Sequence, residues 1–530
     1  QEAVRANTVR DFLLDVFDAA RAHAPRDTRP TPEALVERAR QRLANSTLDP
    51  QTRIEILQTL GRVDLSLARF AEAQAAFDEA LALAKTRSDA DLPRQLRLLK
   101  AEALQRAGNT ADARALVEQE LPALRARGGE PLIHALGLLG DIAFASGEVD
   151  TALARFAEAV QIARTLDGDD GILSLTAQFR HGSALAEAQR YPDAVATLEP
   201  LLARWRATHA PEDDRYVAAL GSLAAANDAL GDTAGSEARL REVLALKRRI
   251  YPEPHHRIAA SLREVAQIVG RDGTRADEAE ALFREALAMQ HAVYGEIHPD
   301  IAETLESRGL VLVAQRRIPE AQAAYREALA ICERAALKAE VCPRSRNNLG
   351  MSLYRDGQLD EAERQMRLAL DERRALYGGD HPTIAFSLST LANVAAARGD
   401  GADAVELASE SVAMLDRLGR GASREGALVR YTLASALWRD DRFAEALPVM
   451  ERTLDDWARV APDGGARRVS MLVQKAQILD GLGRPEAARQ AAEEAIALGV
   501  PAQVLQPLTR DLLRRYSGRS DVYPESAVPP

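Results

Sequence analysis

The sequence predicts an all-α solenoid of about eleven helix pairs with helical caps, on three observations. Small residues recur at Ala73, Ala113, Ala152, Ala194, Ser236, Ala279, Ala321, Ala362, Ala404, Ala446 and Ala488, spaced by 39 to 43 residues. A fixed period of that size marks stacked supersecondary units. The 530 residues exceed what one hydrophobic core holds. No useful stretch alternates with period two, so essentially no strand is expected.

Residues 1–50 read as an N-terminal helical cap or juxtamembrane segment. Val9, Phe12, Leu13, Val16 and Phe17 form one apolar helical stripe. The polar linker "HAPRDTRPTP" follows, and a second helix begins near Thr31-Pro32-Glu33, an N-cap followed by proline. Both segments would cover the exposed first pair of the solenoid.

The repeats occupy residues 51–500, with one internal logic. Twelve residues before the anchor stands another small residue, as in Gly61, Gly140, Gly182, Gly309, Gly350, Ala392, Ala434 and Ala476. The sixth repeat carries one insertion, which puts Ala266 thirteen before Ala279. Four after the anchor comes a larger apolar residue, including Phe77, Phe156, Leu198, Phe283, Tyr325 and Met366. These offsets share one helical face. Small residues let paired helices approach, and the large one fills the gap. Turn signals such as "RDGQ" and "ARGD" separate the two helices. Residues 501–516 are expected to form a C-terminal capping helix, and the polar, proline-rich 517–530 a disordered tail.

Composition excludes several function classes. The formal net charge is −11, which argues against a nucleic-acid partner. No apolar run approaches the length of a membrane span. There is no Gly-rich phosphate loop, G-x-S-x-G, H-E-x-x-H or calcium loop, so no catalytic residue, cofactor or metal is expected and these residues read as non-enzymatic. His255 and His256 are adjacent, and neighbouring positions on a helix point apart. The chain starts with Gln1, so a fragment or processed product is expected. Cys332 and Cys342 are either two small buried residues or a disulfide clamping a loop in an oxidising compartment.

The joints between pairs carry a recurring motif. It stands as "YGEIHP" (Tyr294 to Pro299) and "YGGDHP" (Tyr377 to Pro382), with a degenerate copy "YPEPHH" (Tyr251 to His256). His298 and His381 recur with the repeat, so they are expected to be structural. Pro299 and Pro382 suit a first helical turn, where a missing N–H costs nothing.

The pattern from Gln51 to Leu498 resembles the tetratricopeptide repeat, in the longer variant of kinesin light chains whose linkers carry Tyr-Gly-x-x-His-Pro. The resemblance implies a right-handed superhelix that binds a protein or extended peptide. In the seventh repeat "LKAEVCP" replaces the His-Pro and contains Cys342. "ANTVRDFLLDVFDAA" (Ala6 to Ala20) and "TPEALVERARQRL" (Thr31 to Leu43) resemble the start of the sensor region of bacterial transmembrane serine/threonine protein kinases. That resemblance implies an extracytoplasmic tail tethered to the membrane upstream of Gln1, regulating a kinase outside these residues. A stand-alone cytoplasmic adaptor for complex assembly is the competing reading, and a small-molecule pocket between repeats stays open.

Groove positions are expected three and two residues before the small residue of each first helix, and one, four and five after it. In the eighth repeat these are Asn347, Asn348, Met351, Tyr354 and Arg355. The asparagine pair resembles the one kinesin-light-chain-type repeats use to hold a peptide backbone. The same offsets give Arg180, then Arg263 and Glu264, then Asn393, then Tyr431, Thr432, Trp438 and Arg439. Tyr, Trp and Arg are common interface anchors.

Overall fold

The computed structural model describes residues 32–85, 91–461, 465–519 and 522–523. The stripe from Val9 to Phe17 and most of the expected tail lie outside the described residues. The chain divides into two compact bodies, Gln1–Ile250 and Tyr251–Pro530. The division falls at the degenerate joint, inside an array that periodicity alone presents as continuous.

In the first body α1 (Pro32–Ala44) precedes five pairs. They are α2 (Pro50–Ser66) with α3 (Phe70–Ala84), α4 (Asp91–Arg106) with α5 (Thr110–Arg127), α6 (Glu130–Ala145) with α7 (Val149–Asp167), α8 (Ile172–Glu187) with α9 (Tyr191–Thr208), and α10 (Asp214–Ala229) with α11 (Thr233–Ile250). The second body holds six: α12 (His256–Val269) with α13 (Ala276–Tyr294), α14 (Pro299–Ala314) with α15 (Ile318–Arg334), α16 (Val341–Arg355) with α17 (Leu359–Tyr377), α18 (Pro382–Arg398) with α19 (Gly401–Arg417), α20 (Arg424–Arg439) with α21 (Phe443–Val460), and α22 (Gly465–Gly481) with α23 (Pro485–Ala497). A short 3-10 turn, Gly273–Arg275, absorbs the insertion of the sixth repeat. The C-terminal helix α24 spans Pro507–Ser517, six residues later at its start than the expected 501. Pro507 occupies its first turn and fixes that start. Among the described residues no strand occurs.

All eleven anchors are buried to 1% exposure or less. Their partners show why the first-helix position is small. A Cβ built on Gly61 would stand 2.5 Å from the Phe77 ring, on Gly140 2.7 Å from Phe156, on Gly309 2.4 Å from Tyr325 and on Gly350 2.6 Å from Met366. Each large residue, four after an anchor, thus lies on the backbone of its partner helix. Ala101 and Ala224 fill the same offset in the second and fifth repeats and are fully buried.

The turn within each pair is also periodic. Ala68, Gly108, Gly147, Gln189, Gly231, Arg316, Gly357, Gly399, Asp441 and Gly483 all have positive φ, and each precedes its anchor by five residues. The left-handed residue reverses the chain in the space of one turn, and glycine takes that conformation at no steric cost.

Candidate ligand groove

The joint motif sets the angle at which each new pair begins. Tyr294 stacks on His298 with ring centroids 3.5 Å apart, and Tyr251 stacks on His255 at 4.3 Å. Each histidine is an N-cap. His298 Nδ1 accepts the Asp300 N–H at 3.2 Å, His381 Nδ1 accepts that of Thr383 at 3.3 Å, and His255 Nδ1 that of Arg257 at 3.1 Å. The motif is a Tyr–His stack that closes one pair and caps the next.

At the altered joint a disulfide between Cys332 and Cys342 takes over, with Cα atoms 5.8 Å apart. Glu340 of that linker is gripped from the following pair. The buried guanidinium of Arg373 donates to it at 2.7 and 2.9 Å, and the Tyr377 hydroxyl at 2.8 Å.

So aligned, the first helices touch one another from α4 to α10 in the first body and from α12 to α22 in the second. In the first body, α4, α6 and α8 frame a cleft of about 500 Å³. Arg180 lies in it, donating to Asp141 at 2.5 Å with its guanidinium 5.6 Å from the Phe156 ring centroid. Gly137 makes room, since a Cβ there would meet Arg180 Nη1 at 2.2 Å. Burial pushes the Asp141 carboxyl up, against the opposing pull of Arg180. Phe179, Ser183 and Glu187 line the same cleft. They sit at three of the four other offsets of the rule that picks Arg180, so the period already contained them.

In the second body a polar ladder joins successive first helices. Arg263 donates to Glu303 at 2.7 Å, and Asn348 donates to Glu306 at 2.6 Å with Arg344 at 3.4 Å. Burial raises the Glu306 carboxyl although Arg344 and Asn348 pull it down. Thr390 donates to Asn347 at 3.0 Å, Ser389 to Thr432 at 2.9 Å, and Ser435 to Gln474 at 2.8 Å. Asn393 bonds back to the Ser389 carbonyl at 3.2 Å.

Two sequence expectations are corrected here. Asn347 and Thr432 are only 2% and 8% exposed, and both face the neighbouring first helix instead of open groove. Each supplies a polar contact that a helix–helix seam needs, Asn347 Oδ1 accepting from Thr390 and Thr432 Oγ1 from Ser389. Asn348, beside Asn347, is half-buried and ties its Nδ2 to Glu306 of the preceding first helix. Glu264, Met351, Tyr354, Tyr431 and Trp438 are half-buried, while Arg355 and Arg439 are exposed. Arg439 lies 6.0 Å from the Trp438 ring centroid. Sequence reasoning passed over Leu310 and Phe386, which are 44% and 53% exposed. Leu310 holds the offset of Met351 one repeat earlier, and Phe386 lies seven residues before Asn393 on the same stripe.

Residues 131–202, 173–249, 255–334 and 342–417 match one tetratricopeptide repeat model, which covers more than half of the chain. The chain belongs to the tetratricopeptide repeat family. Two further tetratricopeptide repeat models match 431–499 and 94–119. No curated protein matches the chain. Among solved structures it is similar to a putative kinesin light chain of Podosopora anserina with nearly identical TPR-like repeats, at 21% identity over 41% of this chain and 98% of that one, TM-score 0.36. It is also similar to BtubC of P. vanneervenii, at 20% identity over 44% and 93%, TM-score 0.36. A Rap protein complexed with competence and sporulation factor aligns at 13% identity over 71% and 98%, TM-score 0.42. As a tetratricopeptide repeat chain it is a protein-interaction scaffold. Among the described residues no three His, Cys, Asp or Glu side chains are grouped to hold a metal, and no helix is long and apolar enough to cross a membrane.

Proposed function

We propose that the row of first helices binds an extended segment of a partner protein. One observation carries this reading. Met351, Tyr354, Tyr431 and Trp438 are half-buried against the core of the second body, beside the polar ladder. Such residues offer apolar anchors already held in place, and the neighbouring amides and charges offer main-chain contacts. Panning a displayed random-peptide library on the full chain tests it. Peptides enriched on the wild type are expected to lose binding to the Tyr354→Ala/Trp438→Ala variant. Enrichment that survives both substitutions sinks the groove.

We further propose that this scaffold is the extracytoplasmic sensor part of a membrane-anchored serine/threonine kinase, which it regulates by tethering or clustering. The resemblance of Ala6 to Ala20 and Thr31 to Leu43 supports the attachment, and the Cys332–Cys342 bridge supports an oxidising compartment. Reading the coding sequence upstream of Gln1 decides it. A kinase domain followed by one apolar helix is expected, and an immediate start codon overturns the assignment.

A further inference from the structure

A second cavity, of about 680 Å³, lies between α7, α8 and α9 and belongs to no part of the groove described above. Its volume is that of a site for a small organic molecule. Its charge is unusual for this chain. The protein carries a net charge of −11, yet among the described residues no Asp or Glu lines this cavity, whereas Arg164, Arg204 and His181 do. Val160 and Pro200 supply apolar wall.

The floor is the carboxamide of Gln178, only 3% exposed. Its Nε2 donates to Ser174 Oγ at 2.9 Å, which turns its oxygen toward the arginines. That one oxygen accepts from both guanidinium groups, from Arg164 Nη2 at 3.4 Å and from Arg204 Nη2. Two cations are thus drawn onto a single neutral acceptor, where they repel each other. Asp169, 2.9 Å from Arg164 Nε, offsets one of them. Arg204 has no carboxylate within 4.0 Å among the described residues, and its Nε is buried without a hydrogen-bond partner. Burial lowers the proton affinity of His181, so it offers a neutral ring. The cavity therefore holds a permanent cation, Arg204, with no carboxylate partner among the described residues, and an apolar side.

We propose that this cavity binds a small organic oxyanion, a carboxylate or a phosphate monoester with an apolar body, with Arg164 and Arg204 as its anchors. Planar guanidinium groups match such oxygens two at a time.

The test is calorimetric titration of the full chain with benzoate, phenyl phosphate and inorganic phosphate. Saturable heat is expected with benzoate or phenyl phosphate, the stronger of the two naming the head group, and weaker heat with inorganic phosphate. Arg204→Gln and Arg164→Gln should each weaken binding by about tenfold or more. Arg206→Gln, on the same helix but outside the cavity, should leave it unchanged. Without ligand, Arg204→Gln is expected to keep or raise the thermal midpoint, since it relieves a repulsion. No saturable heat from any of the three probes at about 10 mM, weaker than any useful site, overturns the proposal. Undiminished binding in both arginine variants overturns it equally.

Discussion

Tyr377 lies flat on His381, with ring centroids 3.6 Å apart and planes 4° from parallel. The tyrosine is the last residue of α17, and the histidine caps α18. Removing the imidazole therefore strikes two helices at once. His381→Ala loses the acceptor for the Thr383 N–H, worth about 1 kcal/mol, and the stack, worth about 0.5–1.5 kcal/mol. His381→Asn keeps the acceptor and loses only the stack. Urea unfolding should rank wild type above Asn above Ala, and equal midpoints for Asn and Ala would show that the cap contributes nothing.

The same caps make stability depend on pH. An N-cap histidine accepts through Nδ1, so only the neutral ring works, and a positive charge at a helix N-terminus is unfavourable. Burial holds the His255 and His381 rings below the usual histidine value. Between the folded value and the unfolded one, about 6.5, the unfolded chain binds more protons. Their contribution is complete above pH about 6.5 and is lost as pH falls below it toward the folded values. Raised carboxyls such as Glu306 and Asp141 titrate in the opposite sense, so the effect is read as a difference. A His255→Asn/His381→Asn variant should lose less stability than the wild type between pH 7 and 5, to about the precision of a denaturant midpoint. Parallel pH curves would overturn this.

Two glycine-to-alanine substitutions should move in opposite directions. Both sites are inside helices, where alanine is favoured by about 1 kcal/mol. At Gly221 nothing lies within 4 Å of the new Cβ, so Gly221→Ala should stabilise by about that amount. At Gly309 the Cβ would stand 2.4 Å from the Tyr325 ring, and Tyr325 is 1% exposed with nowhere to move. Overpacking costs about 1–3 kcal/mol and outweighs the propensity gain on average. Thermal midpoints of the two variants against wild type check the sign, and a stabilised Gly309→Ala would mean the pair spacing is slack.

The helix pairs were legible in the sequence because close packing forces small residues to recur at one offset. Gly309 and Tyr325 are sixteen residues apart in sequence, as are Gly61 and Phe77, and each pair touches. The groove was legible only in part. Offsets locate a face to within one helical position, and Asn347 and Asn348 differ by one position yet reach opposite neighbours, Thr390 of α18 and Glu306 of α14. The histidine caps could be expected near the helix starts, but the Tyr–His stack needed coordinates, since three residues of intervening loop hide it. The cavity at Gln178 left no trace, because its arginines belong to helices of two different repeats, and Arg204 departs from the period by standing where other repeats carry Leu83, Ile162, Leu246 and Ile331.

The same holds for the buried pair of Arg430 and Asp456, whose side chains are 3% and 5% exposed. Arg430 Nη2 donates to Asp456 Oδ2 and, at 2.6 Å, to the Gly421 carbonyl, which fastens the loop before α20 to its partner α21. Burial lowers the proton affinity of Arg430, and Asp456 opposes that as the largest attractive partner. Removing the carboxylate leaves a guanidinium in low dielectric with the neutral Gly421 carbonyl and, as its one remaining carboxylate within 4.0 Å among the described residues, Asp416 at 3.8 Å. Asp456→Ala should therefore cost about 3–5 kcal/mol. Replacing both partners removes the charge together with its counter-charge, so Arg430→Met/Asp456→Leu should cost far less than the sum of the single changes. Urea suits the measurement because guanidinium salts would screen the pair. If the double variant were as unstable as the two single costs added together, the two residues would act independently and the ion pair would not be what ties α20 to α21.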